Sequence, residues 1–468
     1  MTTGRAAVAA GSRATAEAGA EVLRAGGSAV DAVVAAGLAA TVAEPGLASL
    51  GGGGFLLAAP PGAAPEVLDF FVDAPGRGRP AERLLPSFVP VVLRFTGAEQ
   101  LFHAGWGSVA VPGALDGLVA AHQRHGRLPL ADVVAPAARL ARDGVVLEPA
   151  QAGVVALLAE ILTLTPPGAA LFAPGGRLLQ AGDRLRDPEL ADLLDEVGAG
   201  RVRRWADLAG AVAEAADRAG APLSGDDLHA YEVRVREPLH RRVPGGDVAT
   251  NPPPSFGGSL VLDALAALPR PVPVPALVDA LVDMSERHVR GAVRGTTHVS
   301  AADADGGLAA LTMSNGSCAG VYVPGTGVQL NNVMGEADLH PEGFSATPPG
   351  TRVGSMMAPT LLTADDGSRT ALGSGGSERI RSALLCVLTG LLDAGLPLED
   401  AVRAPRLHWD RTALQVEPGA PDVPPGRPVR RWAQRDFYFG GVQAVRVRSD
   451  GLVEAAADDR RGGAAVVV

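Results

Sequence analysis

The chain has 468 residues, of which 47% are hydrophobic and 20% charged, so it can bury a large core and is too apolar to be disordered. Its formal net charge is −10, and its basic residues are dispersed along the chain. That balance argues against nucleic acid or an anionic membrane as its main partner.

The first residues lack a strong apolar leader, and no apolar run reaches membrane-spanning length. The expectation is a soluble, cytoplasmic protein. Residues 12–25 read as a helix, capped by Ser12 and stopped by Gly26–Gly27. A second helix begins near Ser28, where Ser28 and Asp31 resemble a capping box. Four glycines, Gly51–Gly54, then precede a short apolar run. No lysine and hydroxyl follow, as a phosphate loop requires, and no helix follows, as a dinucleotide fingerprint requires. The run reads as a tight turn or as one wall of a substrate cleft. "VLDFFVDAP", 67–75, is a further strand. A strand end, a turn and a helix follow over 108–124, with helical patterns over 130–142 and 187–217. Loops are expected at 166–174 and 251–254, and an extended stretch that turns helical over 269–291.

After residue 296 the pattern becomes strand-rich. "TTHVSAADADGGLAALTMSNG" reads as a hairpin turning at Asp305–Gly306. Residues 369–395 read as strand, glycine turn and a helix starting near Ser377. A short helix follows over 396–410, then terminal strands and a hairpin. Sheets covered by helices are the economical architecture.

Familiar catalytic patterns are scarce. The histidines are scattered, Cys318 and Cys386 lie in no metal-type cluster, and "GSGGSER" is explained as well by a helix cap at Ser377 as by a nucleophile turn. One feature is chemically suggestive: Gly295 stands directly before Thr296. A threonine hydroxyl needs a base beside it. An N-terminal threonine carries one, because its free amine, with an ordinary pKa near ~8, accepts the hydroxyl proton. An internal threonine reaches that state only if the preceding bond is cut, and glycine eases the backbone geometry of the attack. Read without further context, the two threonines equally suit a strand start.

Several stretches in order carry a resemblance. "AEAGAEVLRAGGSAVDAVVAAGLAATVAEPGLASLGGGGFLL", "TTHVSAADADGGLAALTMS", "PGTGVQLNNVMGE", "LGSGGSERI" and the terminal "AAADDRRGG" resemble the γ-glutamyltransferase (glutathione hydrolase) family of N-terminal nucleophile hydrolases over nearly the whole chain. The resemblance implies an α+β fold, a four-layer αββα sandwich. It implies self-cleavage before Thr296 into segments 1–295 and 296–468, which stay interwoven as a heterodimer in one catalytic domain. Thr296 would be the nucleophile, Ser314 would support its amine, and Gly375 with Gly376 would form the oxyanion hole. Glu336 would hold the donor's amino group and Ser355 its carboxylate. Thr297 and His298 would support the strand end, with His298 not acting as a base. The partners are a small-molecule amide or peptide donor and a water or amine acceptor. No metal or organic cofactor is required.

The departures concentrate in the donor pocket. Phe71 stands where the family has a carboxylate-clamping arginine and Val72 where it has a glutamate. Gly316 replaces an asparagine, Val333 a glutamine and Met356 a serine. An arginine fork supplies charge and two directed hydrogen bonds, and phenylalanine supplies neither. Arg352 and Arg379 are the candidate replacements. The expected function is a self-processing threonine amidohydrolase or acyltransferase acting on a γ-glutamyl or related amide. The alternatives are the same machinery with another acyl donor, and an unprocessed, inactive binding scaffold.

Overall fold

The computed structural model describes residues 3–85, 87–95, 98–287, 295–337, 339–340, 342–344 and 346–468. The chain forms two seven-stranded antiparallel sheets stacked face to face, with helices on both outer sides.

Near the N-terminus β1 (Ala7–Ala10) leads into α1 (Arg13–Arg24), where the Ser12 hydroxyl accepts the Thr15 N–H at 3.2 Å. The capping box at Ser28 and Asp31 forms in both directions and starts α2 (Ala29–Ala43). Every residue of α2 except Thr41 is buried, because α1 and another helix, Leu130–Asp143, cover it on one side and a sheet on the other. Alanine and valine satisfy that double contact at close range.

The first sheet contains β2 (Gly53–Ala59), β3 (Glu66–Phe70), β4 (Gly295–Ala302) and β5 (Leu308–Gly316). Its order is Ala464–Val467, β1, β4, β5, β2, β3 and Arg234–Arg236. The second sheet has β6 (Arg369–Gly375) and β7 (Gly441–Val447) at its centre. α3 (Arg379–Leu392) packs outside it. β4 lies against β6 and β7 on one face and α2 on the other. All eight residues of β4 are buried. A strand enclosed on both faces has no reason to alternate apolar and polar side chains.

The hairpin from β4 to β5 turns over 303–307, as expected. Two expectations fail. Pro166–Phe172 is a helix rather than a loop, because its two prolines occupy the first turn, where a missing N–H costs nothing. Ser377 does not cap α3. Glu378 takes the cap position, and Ser377 sits in the left-handed region at φ 57°. The helix expected to run toward 291 ends at Glu286, and residues 288–294 lie outside the described residues. Among the described residues no helix is long and apolar enough to cross a membrane.

Candidate active site

The start of β4 is where the two sheets, the end of β5 and the turn into α3 converge. Antiparallel pairing sets Ser314 opposite Thr296 and Gly316 opposite Gly295, with a register shift between Gly295 and Thr296. That irregularity turns the end of the ladder into a hydroxyl chain. The Ser314 hydroxyl donates to the Gly295 carbonyl at 2.7 Å and accepts the Gly316 N–H at 3.1 Å. The Thr296 hydroxyl donates to Ser314 Oγ at 3.4 Å, long for a hydroxyl pair. Thr296 is only 3% exposed. Gly295 is required by crowding: a Cβ there would stand 2.1 Å from the Gly46 carbonyl oxygen and 2.6 Å from that of Gly316.

The second sheet supplies the opposite wall. β6 ends at Gly375, whose Cβ, if present, would stand 2.2 Å from the Thr296 carbonyl oxygen. Gly376, at φ 121°, and Ser377 then turn the chain into α3. Glu336 reaches the same strand end, since a Cβ on Gly316 would meet Asn332 Oδ1 at 2.2 Å and Glu336 Oε1 at 2.7 Å. The glycine at 316 therefore follows from the closeness of those two side chains. Thr296, Ser314, Gly375, Gly376 and Glu336 thus gather around one strand end.

Ser355 and Phe71 are placed differently. Ser355 bridges to Ser255, and its hydroxyl accepts the Met357 N–H at 3.1 Å. Phe71 follows β3, is 2% exposed and stacks on Phe55 with ring centroids 5.8 Å apart. It belongs to an apolar cluster with Val72, Val333, Val353 and Met356. The residues that depart from the family pattern at 71, 72, 333 and 356 therefore share one apolar environment.

The two candidate replacement cations also differ. Arg352 is closed by its neighbours. Its Nε donates to Asp73 at 2.6 Å, Nη1 to the Asp69 carboxylate at 2.6 Å and carbonyl at 2.8 Å, and Nη2 to the Glu232 carbonyl at 2.8 Å. It also lies over the Tyr231 ring. It has no fork left for a substrate. Arg379 donates through Nε to the Tyr438 carbonyl at 3.0 Å, while its buried Nη2 has no hydrogen-bond partner.

His298 is a bracing residue. Its Nδ1 meets Thr312 Oγ1 at 2.8 Å and its Nε2 meets Ser300 Oγ at 2.9 Å. Ser300 donates in turn to the Gln443 carbonyl of β7, tying one sheet to the other. Burial lowers the imidazole to about 3, so the ring is neutral with both nitrogens occupied.

Two charged residues were missed in the sequence. Glu44, just past α2, accepts from Thr297 through Oε2 and from Thr15 at 2.7 Å through Oε1, and burial raises its pKa. Arg461 donates from Nη1 to the Thr296 carbonyl at 3.2 Å. The available signal was faint: a lone carboxylate closing an apolar helix, and one of two adjacent arginines in a terminal turn. Cys318 and Cys386 are both free thiols.

Two central sheets between helical layers, with a hydroxyl residue opening a central strand beneath a glycine turn, define the αββα class of N-terminal nucleophile hydrolases. The gamma-glutamyltranspeptidase family model matches residues 15–272 and 282–468, and the chain belongs to that family. The chain is 30% identical to an acylase ACY 1 proenzyme of Pseudomonas sp. (strain SE83), covering 96% of this chain and 91% of that one. It is 27% identical to the glutathione hydrolase proenzyme of Escherichia coli (strain K12), covering 94% and 88%. Among solved structures, cephalosporin acylase from Bacillus halodurans superposes with a TM-score of 0.84 at 25% identity, covering 100% of this chain and 96% of that one. At the level of the family this is an amide-cleaving hydrolase or transferase of the N-terminal nucleophile type, acting on a small-molecule amide or peptide.

Proposed function

We propose that the chain cuts itself between Gly295 and Thr296 and then works as an N-terminal threonine amidohydrolase. Its acyl donor lacks the γ-glutamyl head group. The observation that carries the reading is the hydroxyl chain from Thr296 through Ser314 to the Gly295 carbonyl oxygen.

In the uncut chain, the Thr296 hydroxyl attacks the Gly295 carbonyl carbon. Its proton has a path to Ser314, whose own hydroxyl already donates to the oxygen that becomes negative. Collapse breaks the C–N bond, moves the acyl group onto Thr296 Oγ and leaves the Thr296 nitrogen as an amine. Water then hydrolyses the ester, giving segments 1–295 and 296–468, which remain together because β1 of the first pairs with β4 and β2 of the first with β5. In turnover the freed amine takes the hydroxyl proton, Oγ attacks the donor carbonyl, and the N–H groups at Gly375 and Gly376 receive the developing charge. Removing one such donor typically costs ~3 kcal/mol. The amine product leaves with a proton, and water cleaves the threonyl ester. Hydrolysis is the default outcome, and an amine acceptor would give transfer instead.

The donor side supports a less polar acyl group. Phe71, Val333 and Met356 lie in one apolar cluster, and Arg352 is fully committed. Apart from Arg381, whose Nη1 donates to Met356 Sδ at 3.5 Å, a carboxylate buried against them would meet apolar side chains. Two of the compared proteins carry acylase names, one of them a cephalosporin acylase, which is consistent with an acyl donor other than glutathione.

Denaturing electrophoresis with N-terminal sequencing tests the processing step. The expected result is two fragments, the shorter beginning at Thr296; a lasting single chain of 468 residues favours the inactive scaffold. Comparing a γ-glutamyl anilide with neutral acyl anilides tests the donor. Preferential turnover of the γ-glutamyl compound would defeat the donor assignment and leave the nucleophile assignment intact.

A further inference from the structure

Arg460 and Arg461 are neighbours in the turn Asp459–Arg461 and meet opposite environments. Arg460 is neutralised by Glu417 at 2.5 Å and Asp458 at 3.1 Å. Arg461 is 5% exposed and has no ion pair among the described residues. Its guanidinium lies 3.7 Å from the Phe437 ring centroid, and its Nε and Nη2 are buried without hydrogen-bond partners.

Three glycines make room for it. A Cβ on Gly441 would stand 2.7 Å from Arg461 Cδ, one on Gly375 3.0 Å from Nη1, and one on Gly376 3.3 Å from Nη2. The slot delivers a cation with no direct ion pair beneath the proposed oxyanion glycines and against the Thr296 carbonyl. Such a group is costly to bury, so a fold that retains it merits a functional explanation.

We propose that Arg461 is a positioning residue that keeps the freed Thr296 amine neutral, and thus able to accept the hydroxyl proton. This rests on the preceding reading that Thr296 becomes N-terminal. The α-nitrogen is three bonds from the oxygen that Arg461 contacts. It therefore lies no more than about 7 Å from the Arg461 Nη1, at or near the range over which one charge moves another group's pKa. An ammonium there would face a like charge, so its proton is lost more readily.

The other charged groups around this end are Arg379 at the start of α3, Asp458 beside the same turn, Glu44 beyond α2 and Arg406, with Glu336 behind Gly316. Asp458 and Glu44 oppose Arg461, and Arg379 and Arg406 reinforce it. Burial, and then Arg379, lower the Arg461 guanidinium to about 9, which leaves it cationic at neutral pH.

The test begins with N-terminal sequencing of the short fragment. A start other than Thr296 sinks the processing reading itself. With that start established, the pH profile of kcat/KM is compared for the wild type, Arg461→Gln and Arg461→Lys on a neutral acyl anilide. The Gln variant should move the acid limb upward by about one pH unit or more, with a roughly tenfold loss below the limb and near-normal rates well above it. The Lys variant should keep the wild-type limb. An unmoved limb in Gln overturns the proposal, as does a Lys limb shifted like that of Gln. A folded Gln variant that stays uncut also overturns it, because Arg461 would then act before any amine exists. If Gln fails to fold, Arg461→Met takes its place with the same expected and overturning results.

Discussion

The strand end at Thr296 and the layer around Phe71 are both buried, yet they are built on opposite rules. At Thr296 the groups are small and polar, and several keep unused hydrogen-bonding capacity: Arg461 Nε and Nη2, and Arg379 Nη2. Around Phe71 the side chains are apolar; of the cations that reach this layer, Arg352 is held by Asp69, Asp73 and the Glu232 carbonyl, and Arg381 donates to Met356 Sδ at 3.5 Å and to Ser285 Oγ at 3.1 Å. A closed network stabilises a fold, whereas a buried polar group with spare donors is expensive and calls for an explanation. On the proposed reading, the two regions teach that reaction chemistry and donor recognition are carried by separable parts of this molecule. The first can persist while the second is rebuilt.

The sharpest way to break that comparison is Thr296→Ala. It should abolish both self-cleavage and turnover, read by electrophoresis and anilide release. Efficient turnover by this variant would remove Thr296 from its role. Ser314→Ala should slow self-cleavage on the order of 10²-fold, within the range for a positioned proton-transfer group, and Ser314→Thr should restore most of it. A fast-cutting alanine variant would show that the hydroxyl chain is incidental.

On the other side of the comparison, Arg352→Ala should act on stability. Asp69 and Asp73 would remain buried without their cation, at a cost of about 3–5 kcal/mol, visible as a lowered denaturant midpoint. A midpoint within error of the wild type would mean that this network is not holding the layer.

The smallest effect concerns His298. Its folded pKa, about 3, lies below the ordinary value of 6.5. The unfolded chain therefore binds this proton first as pH falls. The stability it supplies is complete above ~6.5 and is lost progressively toward ~3, with a slope of at most about 1.4 kcal/mol per pH unit. His298→Gln should flatten that part of the stability curve. An unchanged slope would show that His298 does not remain neutral in the fold.

Much of the fold was legible locally. Ser12, Ser28 and Asp31 announced two helix starts, and Asp305–Gly306 announced the hairpin that aligns Ser314 with Thr296. Signals of this kind involve residues a few positions apart, so the sequence displays them directly. The helix at Pro166–Phe172 was missed because two prolines were read as breakers when they stand in its first turn. Ser377 was misread because a serine before a helix usually caps it, while here the tight turn after Gly376 forces it into the left-handed region. The sequence also left Arg352 and Arg379 equally available. Only the fold showed that Asp69 and Asp73, 283 and 279 positions away along the chain, close the first of them.

By itself, and through its family resemblance, the sequence determined the proposed catalytic vocabulary: a glycine before a threonine, a serine one hairpin away, and a paired-glycine turn after a strand. Those features are short-range or depend on strand register, and register follows from local pairing. Tertiary structure alone decided where the charges fall. Arg461, Glu44 and Thr296 are far apart along the chain and meet only because two sheets and a helix end converge on one strand terminus. Whether a buried charge is neutralised or left open depends on that convergence, since electrostatic interaction is set by distance and burial rather than by order along the chain.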